Sequence, residues 1–374
     1  MKSCSQAFMD RIRIVINEKF PLRDNARIWL VFLILLPLVL ITIRNPNNDF
    51  GIISSIVRDW VAGRMDLYEA GSVYYNYTPW LAFFYLPLSF IPNPFGQLIF
   101  NIISLSLLIW STWYLSKPIS WRAMAISLTT IYTAMLIIQG QWDAIVLASL
   151  TLGWIGFQRK NPWLVGIALV GMTTKYTNVI IPMLILLFAI RSWPIKKLIL
   201  TAVIPLGIFG ISFVIAGWDW PIRYFHLLKV TMAYFQKYEV TTLFSNTSYP
   251  VSYRLILPPL GSILTILLAL LSLYLLFRLL RRGVSLDSMN LALALNLVVS
   301  PYFTFHHIIY LAPLQARLLK KHQIWGFVLV GTAIIDALLL WLGVGLIIYP
   351  IVALVIVLIT TFRSLNQPEV YATE

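Results

Sequence analysis

The sequence predicts an all-α, polytopic integral membrane protein, and three observations carry that prediction. Hydrophobic residues make up 59% of 374 positions and charged residues only 11%, too little polar surface to solvate a globule of this size. Apolar stretches recur from Ile28 to Phe362, with no polar block between them large enough to fold separately. The net charge is +14. In a soluble protein such a balance points to nucleic acid, but a multi-pass chain gains it by collecting Lys and Arg in cytoplasmic loops. No nucleic-acid partner is expected.

The apolar segments run approximately 28–43, 77–91, 95–115, 121–138, 142–158, 163–190, 196–217, 254–280, 287–301, 302–317, 323–342 and 343–362. Most approach the roughly 20 residues that a spanning helix needs. Segment 77–91 is short and carries Pro79 and Pro87, which predicts a re-entrant or tilted element. Segment 163–190 is long and interrupted by Thr174-Lys175-Tyr176-Thr177-Asn178, which predicts two short helices meeting outside at Lys175. With a cytoplasmic N-terminus, this threading puts twenty of the 28 Lys and Arg residues inside, the asymmetry the positive-inside rule requires. The expectation is about 12 transmembrane helices plus the re-entrant or tilted segment.

The organisation that follows is a basic cytoplasmic tail (1–27), a single membrane domain (28–362) and a cytoplasmic C-terminal tail (363–374). Phe8, Ile12, Val15 and Phe20 among basic residues suit an amphipathic helix in the first tail. The first apolar segment lacks a small-residue cleavage pattern, so a cleaved signal peptide is not expected. Cys4 is the only cysteine, which excludes an internal disulfide.

This threading uses Lys and Arg alone, yet the remaining polar residues collect on the outer face and predict one extracytoplasmic site. In the first outer loop, about 44–77, Asn47, Asn48 and Asp49 offer helix-start chemistry. Phe50, Ile53, Val57, Trp60 and Val61 follow at helical spacing until Gly63 stops the pattern. This reads as an amphipathic helix lying on the membrane. Tyr68, Tyr74, Tyr75 and Tyr77 read as an interfacial belt. The second outer loop, about 218–253, mixes Trp218, Trp220, Tyr224 and Arg223 with further aromatic and cationic residues.

Gly140-Gln141-Trp142-Asp143 is a short turn between two helices, where Asp143 either caps the second helix or contacts a substrate. Lys175, flanked by apolar helices, is expected to face an interior or an anion such as phosphate. Pro301 breaks another helix pair before His306-His307. Adjacent side chains project to different sides of a helix, so only one imidazole is expected to point into the site. Asp336, inside an apolar helix, is either a packed structural carboxylate or a proton carrier. No metal-ligand spacing, glycine-rich phosphate loop, haem signature or nucleophile elbow occurs, so ATP-driven transport is not indicated.

The pattern Asp49-Phe50, Ala62-Gly63, Leu67-Tyr68, Tyr77-Thr78-Pro79 and Leu86-Pro87-Leu88, followed by Gly140-Gln141, Asn161 to Lys175 leading to Pro182, and Ser300-Pro301 before His306-His307, is familiar. Over roughly Ile28 to Pro313 it resembles the polyprenyl-phosphate-dependent mannosyltransferases of glycosyltransferase family eighty-seven, in the C-type membrane superfamily. The sequence departs from that family's pattern where Trp142-Asp143 follows Gly-Gln and where Tyr176 follows the lysine.

The resemblance implies transfer of a sugar, mannose by family likeness, from a polyprenyl-phosphate donor to a lipid or glycan acceptor at the outer face of the plasma membrane. It nominates Asp49 as catalytic base and implies neither metal nor cofactor. Beside it, the residue inventory suggests Lys175 and one of His306 or His307 for the phosphate, and Gln141 or Asp143 for the sugar. A lipid or lipid-linked sugar transporter is the alternative reading, since broken helices and a buried charge suit that class too.

Overall fold

The computed structural model describes residues 48–68, 75, 77–117, 120–237, 259–300, 304–342 and 347–366, and seven helical positions between Val31 and Leu40. The tail 1–27 lies outside these residues, as do most of segment 28–43, Glu69, Tyr74 and much of the second outer loop. The described elements are α-helices with short 3-10 segments. They are α1 (Asp49–Val61), α2 (Pro79–Ser89), α3 (Asn93–Leu115), α4 (Trp121–Leu128), α5 (Ile131–Gln139), α6 (Asp143–Gln158), α7 (Pro162–Thr173) and α8 (Ile180–Ile190). There follow α9 (Ile195–Ala216), α10 (Trp220–Lys237), α11 (Leu260–Arg282), α12 (Leu286–Val299), α13 (Ala312–Lys321), α14 (Gln323–Trp341) and α15 (Tyr349–Asn366). Tyr176–Asn178 and Phe305–Leu311 form 3-10 helices.

Five described helices, α3, α9, α11, α14 and α15, are long and apolar enough to cross a membrane. A sixth crossing results if α4 and α5, bent by 59° at Thr129-Thr130, form one broken span. The other apolar segments fold into shorter helices: α6 has 16 residues, α7 12, α8 11 and α12 14. At about 1.5 Å per residue each falls short of a hydrocarbon core of about 30 Å, so helix length does not yield about 12 separate crossings. Segment 121–138, expected to be one helix, is two. The described part of segment 302–317 is a 3-10 turn, Phe305–Leu311, running into α13.

The short helices pack against one another and against the long ones. α6 lies against both α7 and α3, and α9 against α7. Small residues permit the approach: Gly153 faces Ala168, Gly156 faces Val165 and Gly171 faces Ser149, the pattern by which membrane helices gain close contact without a hydrophobic drive. The long helices turn apolar side chains outward, as Leu206, Val214, Leu260 and Phe277 show.

α1 begins where the sequence places it. The Asn48 side chain accepts from the backbone N–H of Gly51 at 3.0 Å, and Gly63 beyond its end has φ +66°. Its apolar face is turned mostly into the protein, with Val61 at its end exposed. Phe50, Ile53, Ile56 and Val57 are buried in the protein, with Phe50 against Tyr85 and Phe100 at ring distances of 5.7 and 5.1 Å. The described tyrosines after α1, Tyr68, Tyr75 and Tyr77, are likewise interior rather than a belt. Tyr68 stacks on Trp220 and donates to the Tyr77 carbonyl at 3.0 Å, and Tyr75 donates to that of Thr78 at 3.1 Å. An aromatic with a satisfied hydroxyl buries without loss, which a linear pattern does not distinguish from an interfacial position.

Asp336 in α14 is structural. It accepts from the backbone N–H groups of Ile348 (2.9 Å) and Tyr349 (3.2 Å) and from the Tyr132 hydroxyl (3.0 Å). It thereby caps the start of α15 from a neighbouring helix, where donors would otherwise be orphaned in an apolar setting.

Candidate active site

Four chain breaks meet in one place, and each exposes polar groups that a continuous helix would have consumed. The first is the start of α1. Asn48, besides capping that helix, donates to the Ile138 carbonyl near the end of α5 at 3.3 Å, which fixes Asp49 beside the second break, Gly140. Gly140 closes α5 in the left-handed conformation, φ +64°, with Gln141 N–H returning to the Leu136 carbonyl at 3.0 Å, the helix-ending loop that glycine favours. A Cβ at Gly140 would lie 2.6 Å from the Phe50 Cβ. Glycine is needed here twice over, for its backbone conformation and for the approach of α1.

That approach lets the Gln141 amide donate to Asp49 Oδ2. The same side chain accepts through Oε1 from Lys175 Nζ at 3.2 Å. Lys175 stands at the third break, between α7 and α8. The backbone freed there is satisfied by Asn296 of α12, which donates to the Thr177 carbonyl (2.9 Å) and accepts from Ile181 N–H (2.9 Å). Irregular backbone among apolar helices persists only where protein supplies such partners.

Asp143, the first residue of α6, has no exposed surface and both oxygens engaged. Oδ2 pairs with Lys175 Nζ at 2.9 Å, while Oδ1 accepts from the Tyr310 hydroxyl at 2.8 Å and from Asn178 at 3.3 Å. The fourth break brings both histidines to the same carboxylate. His306 Nε2 lies 3.5 Å from Oδ2 and His307 Nε2 3.6 Å from Oδ1. The expectation that only one would point inward is corrected by the 3-10 geometry, which brings one ring beside each oxygen of Asp143. The rings stand 4.4 Å apart at 82°.

Their partners set their tautomers. His307 Nδ1 faces Thr304 N–H at 2.9 Å, so its proton sits on Nε2, toward Asp143. His306 Nδ1 faces Gln139 Oε1 at 2.7 Å, so its proton sits there and Nε2 is left as an acceptor, with the Thr304 hydroxyl at 2.7 Å and the Lys175 ammonium at 3.4 Å. Asp143, His306 and His307 are ligand types that hold a divalent metal, with atoms within 4.8 Å of one another. The ammonium of Lys175 already sits among them, and the His307 lone pair is committed to Thr304. The donor set fits an internal cation.

Burial lifts the Asp49 carboxyl above its ordinary range, and the charge of Asp143 adds to the lift; Lys175 and the Gln141 amide oppose it. A carboxylate so placed is a stronger proton acceptor than one in water.

The structure thus brings Asp49, Gln141, Asp143, Lys175, His306 and His307 into one contiguous network. It adds Gln139, Asn178, Thr304 and Tyr310, which the sequence reading did not single out. Tyr310 had a signal: it follows His307 by three residues, and in a 3-10 helix such positions eclipse. Gln139 and Thr304 had none.

An all-α integral membrane protein with a buried carboxylate–ammonium centre where its broken helices meet is the class this fold and site define. Residues 75–301 match glycosyltransferase family 87; the match spans more than half of the chain, which belongs to that family and is a membrane glycosyltransferase. Neither a curated protein nor a solved structure gives a significant match. Gln141, Asp143 and Lys175 fall within the matched residues, whereas Asp49, His306 and His307 lie beyond its ends and join the site through tertiary contacts.

Proposed function

We propose that the protein transfers a sugar, mannose by family resemblance, from a polyprenyl-phosphate donor to a hydroxyl of a lipid or glycan acceptor, at the extracytoplasmic face of the plasma membrane. The observation that carries this reading is the Gln141 amide, which places a carboxylate at one end and an ammonium at the other. Glycosyl transfer from a phosphate needs those two charges, a base for the acceptor and a cation for the leaving group.

In this reaction the acceptor oxygen attacks the anomeric carbon from the side opposite the phosphate. The carbon–oxygen bond to phosphate breaks, its electron pair leaves with the polyprenyl phosphate, and the acceptor proton passes to Asp49. Configuration inverts. Lys175 holds the departing phosphate, His306 accepts from that ammonium and orients it, and Gln141 sets the spacing between base and phosphate. Asp143, with both oxygens engaged within the protein, fixes the Lys175 ammonium, and His307 and Tyr310 hold Asp143. No cofactor is assigned, because the phosphate already provides a leaving group.

The test is sugar transfer in membranes containing wild type or Asp49→Asn, with labelled polyprenyl-phosphate-mannose and total lipid extract. Transfer by wild type alone, at equal protein abundance, supports the proposal. Equal transfer by both removes Asp49 as base. Movement of intact donor across vesicles without transfer would replace the enzyme reading with a transporter.

A further inference from the structure

A second polar cavity, of about 350 Å³, opens at the ends of α12 and α13 remote from the Asp49 site. α12 enters it through Asp287 and Asn290 and reaches the active-site break with Asn296. α13 leaves the histidine segment at Ala312 and enters the cavity with Arg317 and Lys321. Along α12, the nine residues from Asp287 to Asn296 correspond to about 14 Å of helix. The cavity is therefore distinct from the active site.

Its lining is cationic. Arg317, Lys321 and Arg363 face a single carboxylate, Asp287, and His322 and Trp325 stand beside them. Arg317 spends one nitrogen on Asp287 at 2.8 Å, while its Nη1 is buried with no hydrogen-bond partner. A buried guanidinium N–H left unpaired is costly, and an oxyanion is its natural complement. The residues flanking these cations are apolar and open. Ile324 follows His322 by two positions and is 78% exposed, and Phe362, beside Arg363, is 57% exposed. A phosphate in the cavity would have its attached hydrocarbon lying along these side chains.

We infer that this cavity is a binding site for the headgroup of an anionic phospholipid, its phosphate on Arg317 and Lys321 and its acyl chains along α14 and α15. Cationic pockets between transmembrane helices recognise lipid phosphates by this combination of charge and apolar rim. Three cations against one carboxylate leave the excess positive charge that an anionic headgroup neutralises. The inference stands on the cavity alone and is independent of the glycosyl-transfer reading.

The experiment uses the purified full-length protein in neutral detergent. Thermal unfolding is followed after adding phosphatidylglycerol, phosphatidylcholine or inorganic phosphate, with lipid retention counted by native mass spectrometry. Phosphatidylglycerol is expected to raise the Tm and remain bound, and phosphatidylcholine to do neither. Lys321→Gln with Arg363→Gln, both at exposed positions, is expected to lose at least half of that shift, and Arg317→Gln more. Asp287→Asn, which frees Arg317, is expected to retain the lipid at least as well as wild type. Equal shifts in wild type and the Lys321/Arg363 variant would overturn the site, as would equal effects of the two lipids. A shift given by inorganic phosphate alone would overturn the lipid as occupant and leave a free anion in its place.

Discussion

Asp49 and Lys175 meet at the two ends of one amide: Gln141 donates to the carboxylate and accepts from the ammonium. The orientation of that amide follows from the two charges, since its nitrogen has only donors and its oxygen only acceptor capacity. The two charged groups are kept a side chain apart, and neither neutralises the other directly.

Gln141 therefore tunes Asp49. The hydrogen bond it donates favours the charged carboxylate, while burial favours the neutral one. Activity that needs the carboxylate is lost as pH falls through its pKa, which lies above the ordinary 3.8. In Gln141→Leu the charged form loses a donor, so the pKa rises further. The acid limb of kcat/KM is expected to move to higher pH, with a drop in kcat of about 10-fold or more at neutral pH. A pH-rate profile on reconstituted protein checks this, and an acid limb moved downward would contradict the assignment.

Asp143 and Lys175 form a buried pair, and breaking one side strands the other. Asp143→Asn and Lys175→Met are each expected to cost about 3–5 kcal/mol of stability. The double variant should cost clearly less than the sum, because it leaves no uncompensated charge. Thermal unfolding of the four proteins measures the coupling, and additivity would mean that the pair is not formed.

Gly140→Ala introduces a Cβ where Phe50 already sits and asks a non-glycine residue to hold φ +64°. The backbone alone costs about 1–2 kcal/mol, and Phe50 must also move. Because Phe50 adjoins Asp49, transfer should fall by more than the stability loss accounts for. Activity per folded molecule, set beside the Tm, separates the two effects.

Asp336 supplies acceptors to two backbone N–H groups and to Tyr132. Asp336→Leu leaves these donors unpaired in an apolar setting and is expected to cost about 2–4 kcal/mol. Asp336→Asn keeps one acceptor oxygen and should cost less. If both variants lose transfer at unchanged Tm, the structural role is wrong and proton carriage returns.

The sequence by itself determined that the chain is helical and membrane-embedded, because composition and apolar run length depend only on counting. It also determined the local events: a helix start among Asn47, Asn48 and Asp49, the stop at Gly63, the turn at Gly140 and the break at Lys175, since capping and helix termination are governed by neighbouring residues. It pointed to Gln141, Asp143, Lys175, His306 and His307 as polar groups at helix breaks, and to Asp49 through family resemblance.

Only the tertiary structure decided what those groups do to one another. That Asp143 pairs with Lys175, that both histidines reach Asp143, and that the α1 face and Tyr68, Tyr75 and Tyr77 are buried in protein are facts of contact between distant segments. The shortness of α6, α7, α8 and α12, and the bend between α4 and α5, also escaped the pattern, because an apolar run records solubility in hydrocarbon and not whether the backbone stays helical through it. Hydrophobicity is additive along the chain and can be read from it. Electrostatic pairing depends on distance in space, and the fold alone sets that distance.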